Sequence, residues 1–312
     1  MMKPIHHVLL VVACSISLLL FTACGPSTTT TTTITMQDSL IPYHLGSPSE
    51  QFELPNKLRE ISGIACYKKR YIVGIQDEKG SLFLIKPNTG EITEKIDFSA
   101  DGDYEDLALV GEVMYAIRAD GVLFRITNWK NKNKIDTKVL DTNLGELNDT
   151  EGLTYHAETN SLWIACKASA AIGEKEHEER AVYQYQLDSN YFDTKPLFSI
   201  SRKQLKEYLK TIKGTERYDA IKKEVKKAKK EMVIRPSAIE IHPITEDIYI
   251  LSAIGNLLLV LDSNYQIKTC IPLSSKQFEQ PEGLAFDGQS NLYISSEGRK
   301  EKAMIYKFDY IK

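Results

Sequence analysis

The chain has 312 residues, 39 Lys and Arg against 42 Asp and Glu, a formal charge of −3 and 42% hydrophobic residues. Those figures suit one large globular domain, exclude disorder over the whole length, and argue against a nucleic-acid partner, which calls for a strongly basic domain. Five cysteines are too few for a disulfide scaffold, and no pair of them has the close spacing of a zinc knuckle.

The first segment reads as an export signal: Lys3, an apolar run from Val8 to Phe21, then Phe21-Thr22-Ala23-Cys24. The 14 residues of that run fall short of the ~20 that span a bilayer. The segment resembles a bacterial lipoprotein signal. That resemblance implies loss of residues 1–23 and a lipid on Cys24, by which the protein is held in the membrane. Gly25 follows the cysteine with no acidic cluster after it, which is similar to lipoproteins of the outer membrane that face the periplasm. Residues 24–49, with Thr28 to Thr33 unbroken, read as a polar tether that cannot bury apolar surface.

Beyond residue 50 the chain repeats itself. Glu60-Ile-Ser-Gly-Ile-Ala65, Asp103-Tyr-Glu-Asp-Leu-Ala108, Asp149-Thr-Glu-Gly-Leu-Thr154, Arg235-Pro-Ser-Ala-Ile-Glu240 and Gln280-Pro-Glu-Gly-Leu-Ala285 each open a unit of short β-rich stretches broken by Gly, Asn and Asp turns. Anchored on Glu60, Glu105, Glu151, Ser237 and Glu282, the spacings are 45, 46, 86 and 45. A four-stranded propeller blade needs about 40–50 residues. The long interval holds a Lys-rich segment, residues 201–232, in which Leu205, Tyr208, Leu209 and Ile212 and then Tyr218, Ile221 and Val225 recur at helical spacing. An all-β fold is therefore expected over residues 50–312: a five-bladed β-propeller with a helical insertion between blades 3 and 4. Six blades, the alternative, would leave each one short of chain. The last unit stops at its third strand, and residues 50–54 stand where a fourth belongs, so the N-terminal strand is expected to close the ring.

These five units resemble the SdiA-regulated family of bacterial propeller proteins, over about residues 55–312. The resemblance implies a five-bladed propeller and identifies no reaction.

Repeat position points to a site. Glu60, Glu105, Glu151 and Glu282 stand at the start of the innermost strand of their blades, with Ser237 as the fifth member, and are expected to ring one mouth of the channel. The second strands return to that face, ending at Asp77, Arg118, Lys167, Ser252 and Glu297, expected as a ligand-binding shell. Like carboxylates around one axis repel unless protonated, hydrogen-bonded or neutralised. All-oxygen ligands favour a hard ion, Ca2+ before Mg2+. Two other readings stand beside calcium: the glutamates cap amides of neighbouring blades, or Arg118 and Lys167 neutralise them. The function expected is a membrane-anchored binding or scaffolding module for a protein, glycan or small-molecule ligand. The alternative is a metal-dependent hydrolase, a phytase-like phosphoesterase or lactonase.

Overall fold

Short stretches of Val, Ile, Leu and aromatic residues, punctuated by Gly, Asn and Asp, cannot form long helices but pair readily as a meander. The computed structural model describes residues 40–312, and there they form five antiparallel sheets. Blade 1 is β2 (Ile61–Tyr67), β3 (Tyr71–Gln76), β4 (Lys79–Ile85) and β5 (Ile92–Asp97). Blade 2 is β6 (Tyr104–Val110), β7 (Val113–Arg118), β8 (Leu123–Thr127) and β9 (Asp136–Leu140). In blade 3, β10 (Thr150–His156), β11 (Ser161–Cys166) and β12 (Glu179–Gln186) are followed by β13 (Tyr191–Phe192) and β14 (Phe198–Ser201), both paired with β12. Blade 4 is β15 (Ala238–Ile241), β16 (Ile248–Ser252), β17 (Leu257–Leu261) and β18 (Ile267–Pro272). Blade 5 combines β19 (Pro281–Phe286), β20 (Leu292–Ser296) and β21 (Met304–Phe308) with β1 (Glu50–Glu53).

The innermost strands β2, β6, β10, β15 and β19 each contact their two neighbours, closing a ring. Five apolar clusters fill the five gaps between successive blades. Val73 and Leu82 meet Leu107 and Phe124 between blades 1 and 2, for example. β1 runs antiparallel to β21, with Glu50 opposite Lys307 and Glu53 opposite Met304, so the ends of the chain share one blade as expected.

The insertion folds as α1 (Arg202–Thr211) and α2 (Glu216–Ala228). Ser201 and Gln204 form a reciprocal capping box on α1, and the Thr215 side chain caps α2. Leu205, Tyr208, Leu209 and Ile221 bury the apolar face of this hairpin against the core between blades 3 and 4. It rests on β14 and β18, the outer strands, and so flanks the ring rather than roofing the channel.

Composition placed the end of the tether at residue 49, but residues 40–49 belong to the fold. Ile41, Tyr43 and Leu45 are buried in the core between blades 4 and 5. The Tyr43 hydroxyl donates to the Ser290 carbonyl at 2.6 Å and lies 2.8 Å from His242 Nε2. The apolar residues alternating through this segment are short in number, which is why composition alone reads it as linker. Residues 1–23, Cys24 and the tether as far as residue 39 lie outside the described residues. Among the described residues, every strand, the closure and the five cores belong to one compact unit.

Candidate ligand-binding mouth of the propeller

Each innermost strand runs from one pole, the mouth, to the other, the base. In three blades its pairing with the second strand skips a residue near the mouth. Tyr104 faces Arg118 but Asp106 faces Ile117; Thr150 faces Cys166 but Gly152 faces Ala165; Pro281 faces Ser296 but Gly283 faces Ser295. The skipped residues are Glu105, Glu151 and Glu282. A bulged residue leaves the ladder and re-aims its side chain, which is how these three carboxyls come to the channel mouth. In blades 3 and 5 the next residue is glycine, and the close approach of blades requires it in blade 3: a Cβ on Gly152 would sit 2.9 Å from Ile239 Cγ2 in the next blade.

In blade 1 the same irregularity falls between Ile61 and Ile64, which puts Ser62 at the level of the three glutamates. Ser237 occupies that level in blade 4. The inner tier is therefore three glutamates and two serines. Glu60 stands two residues earlier and is exposed, in an outer tier with Asp103, Asp149, Arg235 and Gln280. Residue type aligns Glu60 with the other glutamates, whereas sheet pairing aligns Ser62 with them, by the bulge.

Burial and mutual repulsion dominate the electrostatics. Glu151 is buried and accepts a hydrogen bond from Lys167 Nζ. Burial raises its carboxyl above the usual range, and Lys167 offsets part of the rise. Burial, then the neighbouring Glu151 and Asp103, hold Glu105 far above a normal glutamate. Glu282 is pushed up to about 8 by burial, with Glu151 and Glu297 adding to it. Glu297 rises to about 7 through burial and Asp77, and Asp77 to about 6 through burial and Glu60. Burial opposes the Lys167 ammonium, but Glu151, Asp149 and Glu282 outweigh it and keep the lysine charged. Asp77 Oδ1 and Gln280 Oε1 are buried without a hydrogen-bond partner.

Asp77, Lys167 and Glu297 follow directly on the ends of β3, β11 and β20. Their backbone N–H groups donate to the carbonyls of Glu60, Asp149 and Gln280, at 3.4, 2.8 and 2.9 Å, which ties this shell to the outer tier. Arg118 does not join them. It is the last residue of β7 and donates through Nε to Asp120 Oδ1 at 2.8 Å, with its guanidinium 5.8 Å from the Phe124 ring centre. Ser252 and Ser237 serve the backbone. Ser252 Oγ donates to the Ile254 carbonyl at 2.8 Å, and Ser237 Oγ donates to the Pro281 carbonyl at 2.8 Å, joining blade 4 to blade 5.

Two further carboxyls, outside the expected ring, lock blades together below the mouth. Asp106 is buried and accepts from Leu153 N and Leu107 N, both at 2.8 Å. Glu240 accepts from Thr154 Oγ1 at 2.7 Å and Ile241 N at 3.0 Å. Burial raises Asp106 well above its ordinary value and lifts Glu240 to about 7. Their signal was in the repeat itself: Asp106 stands where three other units have Gly63, Gly152 and Gly283, and Glu240 where the other four have Ala65, Ala108, Thr154 and Ala285.

Among the described residues no three His, Cys, Asp or Glu side chains converge closely enough to hold a metal ion. The ring carboxyls are spread around the channel, and Glu151 is already bonded to Lys167. Calcium asks for six to eight oxygens in one shell, so the calcium ion expected from residue type does not fit these residues as they are placed. His156 and His242 are turn residues of the base: Nδ1 of each accepts backbone N–H groups of its own turn. Cys66, Cys166 and Cys270 are free thiols, and burial pushes Cys270 up to about 12.

The family model described as SdiA-regulated matches residues 50–308. The chain belongs to the SdiA-regulated family. Among solved structures, this SdiA-regulated protein is similar to the glutaminyl cyclase of Myxococcus xanthus, with a TM-score of 0.53 and 10% identity over 85% of this chain and 97% of that one. It is also similar to the PQQ-bound aldose sugar dehydrogenase of Streptomyces coelicolor, with a TM-score of 0.49 and 9% identity over 86% of this chain and 97% of that one. At these identities the likeness is one of propeller fold. A search of curated protein sequences returned no significant match.

Proposed function

We propose that this SdiA-regulated propeller is a binding module, held at the bacterial cell envelope by a lipid on Cys24, that receives a cationic organic ligand at its mouth. The ligand class is one presenting ammonium or guanidinium groups. The observation that carries this reading is the surplus of carboxyls, Glu105, Glu151, Glu282, Glu297 and Asp77, over the cations that act on them, Lys167 and, at Glu297, Arg299. The unpartnered Asp77 Oδ1 and Gln280 Oε1 are acceptors facing the same need.

A cation supplies the charge that burial and repulsion withhold, and its N–H donors reach separate carboxylates. A metal ion needs its oxygens in one place; a spread ring suits an extended donor set. Binding favours the ionised carboxyls, so affinity should rise with pH through the range in which Asp77, Glu297 and Glu282 lose their protons. The hydrolase alternative draws no support from the mouth, where Arg118 is committed to Asp120. Anchoring rests on Phe21-Thr22-Ala23-Cys24.

Calorimetric titration of residues 40–312 with a polyamine, an arginine-rich peptide, an acidic peptide and CaCl2, at pH 6 and pH 8, tests the reading. Saturable binding of the two cationic probes, stronger at pH 8 and lost in Glu105→Gln/Glu282→Gln, is expected. Absence of binding by both organic cations would overturn it, and saturable Ca2+ binding lost in the same variant would restore the metal ion. Metabolic labelling with a fatty acid, present in the full chain and absent in Cys24→Ala, tests the anchor.

A further inference from the structure

We propose that the base of the propeller docks on an anionic lipid surface, so that the acidic mouth faces away from the membrane. The inference rests on the lipid-anchored reading above and adds an orientation and a second contact to it.

Two base turns in adjacent blades carry the charge. Lys68, Lys69 and Arg70 form the turn between β2 and β3, and Lys130, Lys132 and Lys134 lie in the loop between β8 and β9; all six are exposed. One ring unites the turns: Lys68 Nζ and Lys130 Nζ lie 5.0 and 5.5 Å from the centre of Tyr67. Beneath them Trp129 is fully buried, packs edge-on against Tyr67 at 5.0 Å and donates from Nε1 to the Glu112 carbonyl at 3.1 Å. The patch therefore sits on a rigid floor. Among the described residues, Glu112 is paired with Lys130, Glu94 lies 3.4 Å from Lys132, and Asp136 is exposed at the head of β9, so three acids stand against the six basic residues of the patch.

The path of the chain is an independent observation. Residues 40–43 reach the fold at the base. Tyr43 bonds to Ser290 in the β19–β20 turn and to His242 at the end of β15, and Ile311 N donates to the Pro42 carbonyl at 3.0 Å. Sixteen residue steps separate Cys24 from Leu40, at most roughly 55 Å of extended chain. A tether leaving from the base brings that pole to the bilayer first. Basic residues near an anionic leaflet strengthen binding about fivefold each, within a Debye length of about 10 Å. The carboxyl-rich mouth at the other pole is repelled by the same surface.

Co-sedimentation of residues 40–312, which carry no anchor, with phosphatidylglycerol-containing and pure phosphatidylcholine vesicles tests this. Binding to the anionic vesicles alone, abolished by high salt, is expected. Lys69→Glu/Lys132→Glu/Lys134→Glu should weaken it at least about a hundredfold, with an unchanged circular dichroism spectrum. A matched reversal on the insertion, Lys226→Glu/Lys227→Glu/Lys230→Glu, should leave it intact. Equal binding to both vesicles, no binding, or loss only in the insertion variant would overturn the proposal. Unlabelled Cys24 with vesicle binding retained would overturn the anchor and leave the patch standing.

Discussion

Glu151 is buried, and Lys167 is the cation bonded to it; without that ammonium a carboxylate would remain in a poorly solvated site with little to offset it. Lys167→Met should therefore cost about 3 kcal/mol at pH 8 and much less at pH 5, where Glu151 takes up a proton. Urea unfolding at the two pH values checks this, and an equal loss at both would contradict it. The other ring carboxyls give the wild-type protein its own pH dependence. Glu282, Glu297 and Asp77 have folded values of about 8, 7 and 6, all raised above those of the unfolded chain. The folded state then holds protons that the unfolded state releases. Their stabilising effect is complete below about pH 4 and is lost as pH rises towards 8, at up to about 1.4 kcal/mol per pH unit for the buried Glu282 and less for Asp77 and Glu297, whose charges solvent partly screens. Glu282→Gln should flatten this decline and be the more stable protein at pH 8, measured as unfolding midpoints across the range. A wild-type midpoint that climbs from pH 5 to pH 8 would refute the assignment.

At the scale of strands, the residue that decides what reaches the mouth is the one left out of the ladder. The five units were legible in the period of the sequence, and so were the positions of Glu105, Glu151 and Glu282 at the heads of β6, β10 and β19. Blade 1 was not, because Glu60-Ile-Ser-Gly matches the other units equally well by its acid or by its glycine, and only the pairing of Ile61 with Gln76 and Ile64 with Gly74 chooses between them. Arg118 was misplaced for a related reason: a strand end alternates between two faces from one residue to the next. Between blades, Asp106 carries the strand-level tie by accepting from Leu153 N in β10. Asp106→Ala should leave that buried N–H unsatisfied and cost about 1–3 kcal/mol, whereas Lys226→Ala on exposed α2 should stay within about 0.5 kcal/mol of the parent. Chemical denaturation of the two variants side by side tests the lock, and matching midpoints would show that blades 2 and 3 are held elsewhere.

The whole molecule is held by closure, since each of its five cores belongs to two blades and opening the ring exposes a sheet edge. Removing residues 40–53 takes away β1, Phe52 and the docked strap of Ile41, Tyr43 and Leu45. The shortened protein should associate through the bared edge of β21 and melt well below the parent, as read by light scattering and thermal unfolding. A monomer with an unchanged midpoint would place the closure elsewhere. The sequence by itself determined the number of blades, the helical insertion and the closing strand, because each follows from local periodicity and from the count of strands in the last unit. Tertiary structure alone decided which side chains share the mouth, how far apart its carboxyls stand, and that residues 40–49 dock at the base. Those outcomes depend on pairing register and on the distance between residues far apart in the chain, which a repeat pattern does not encode.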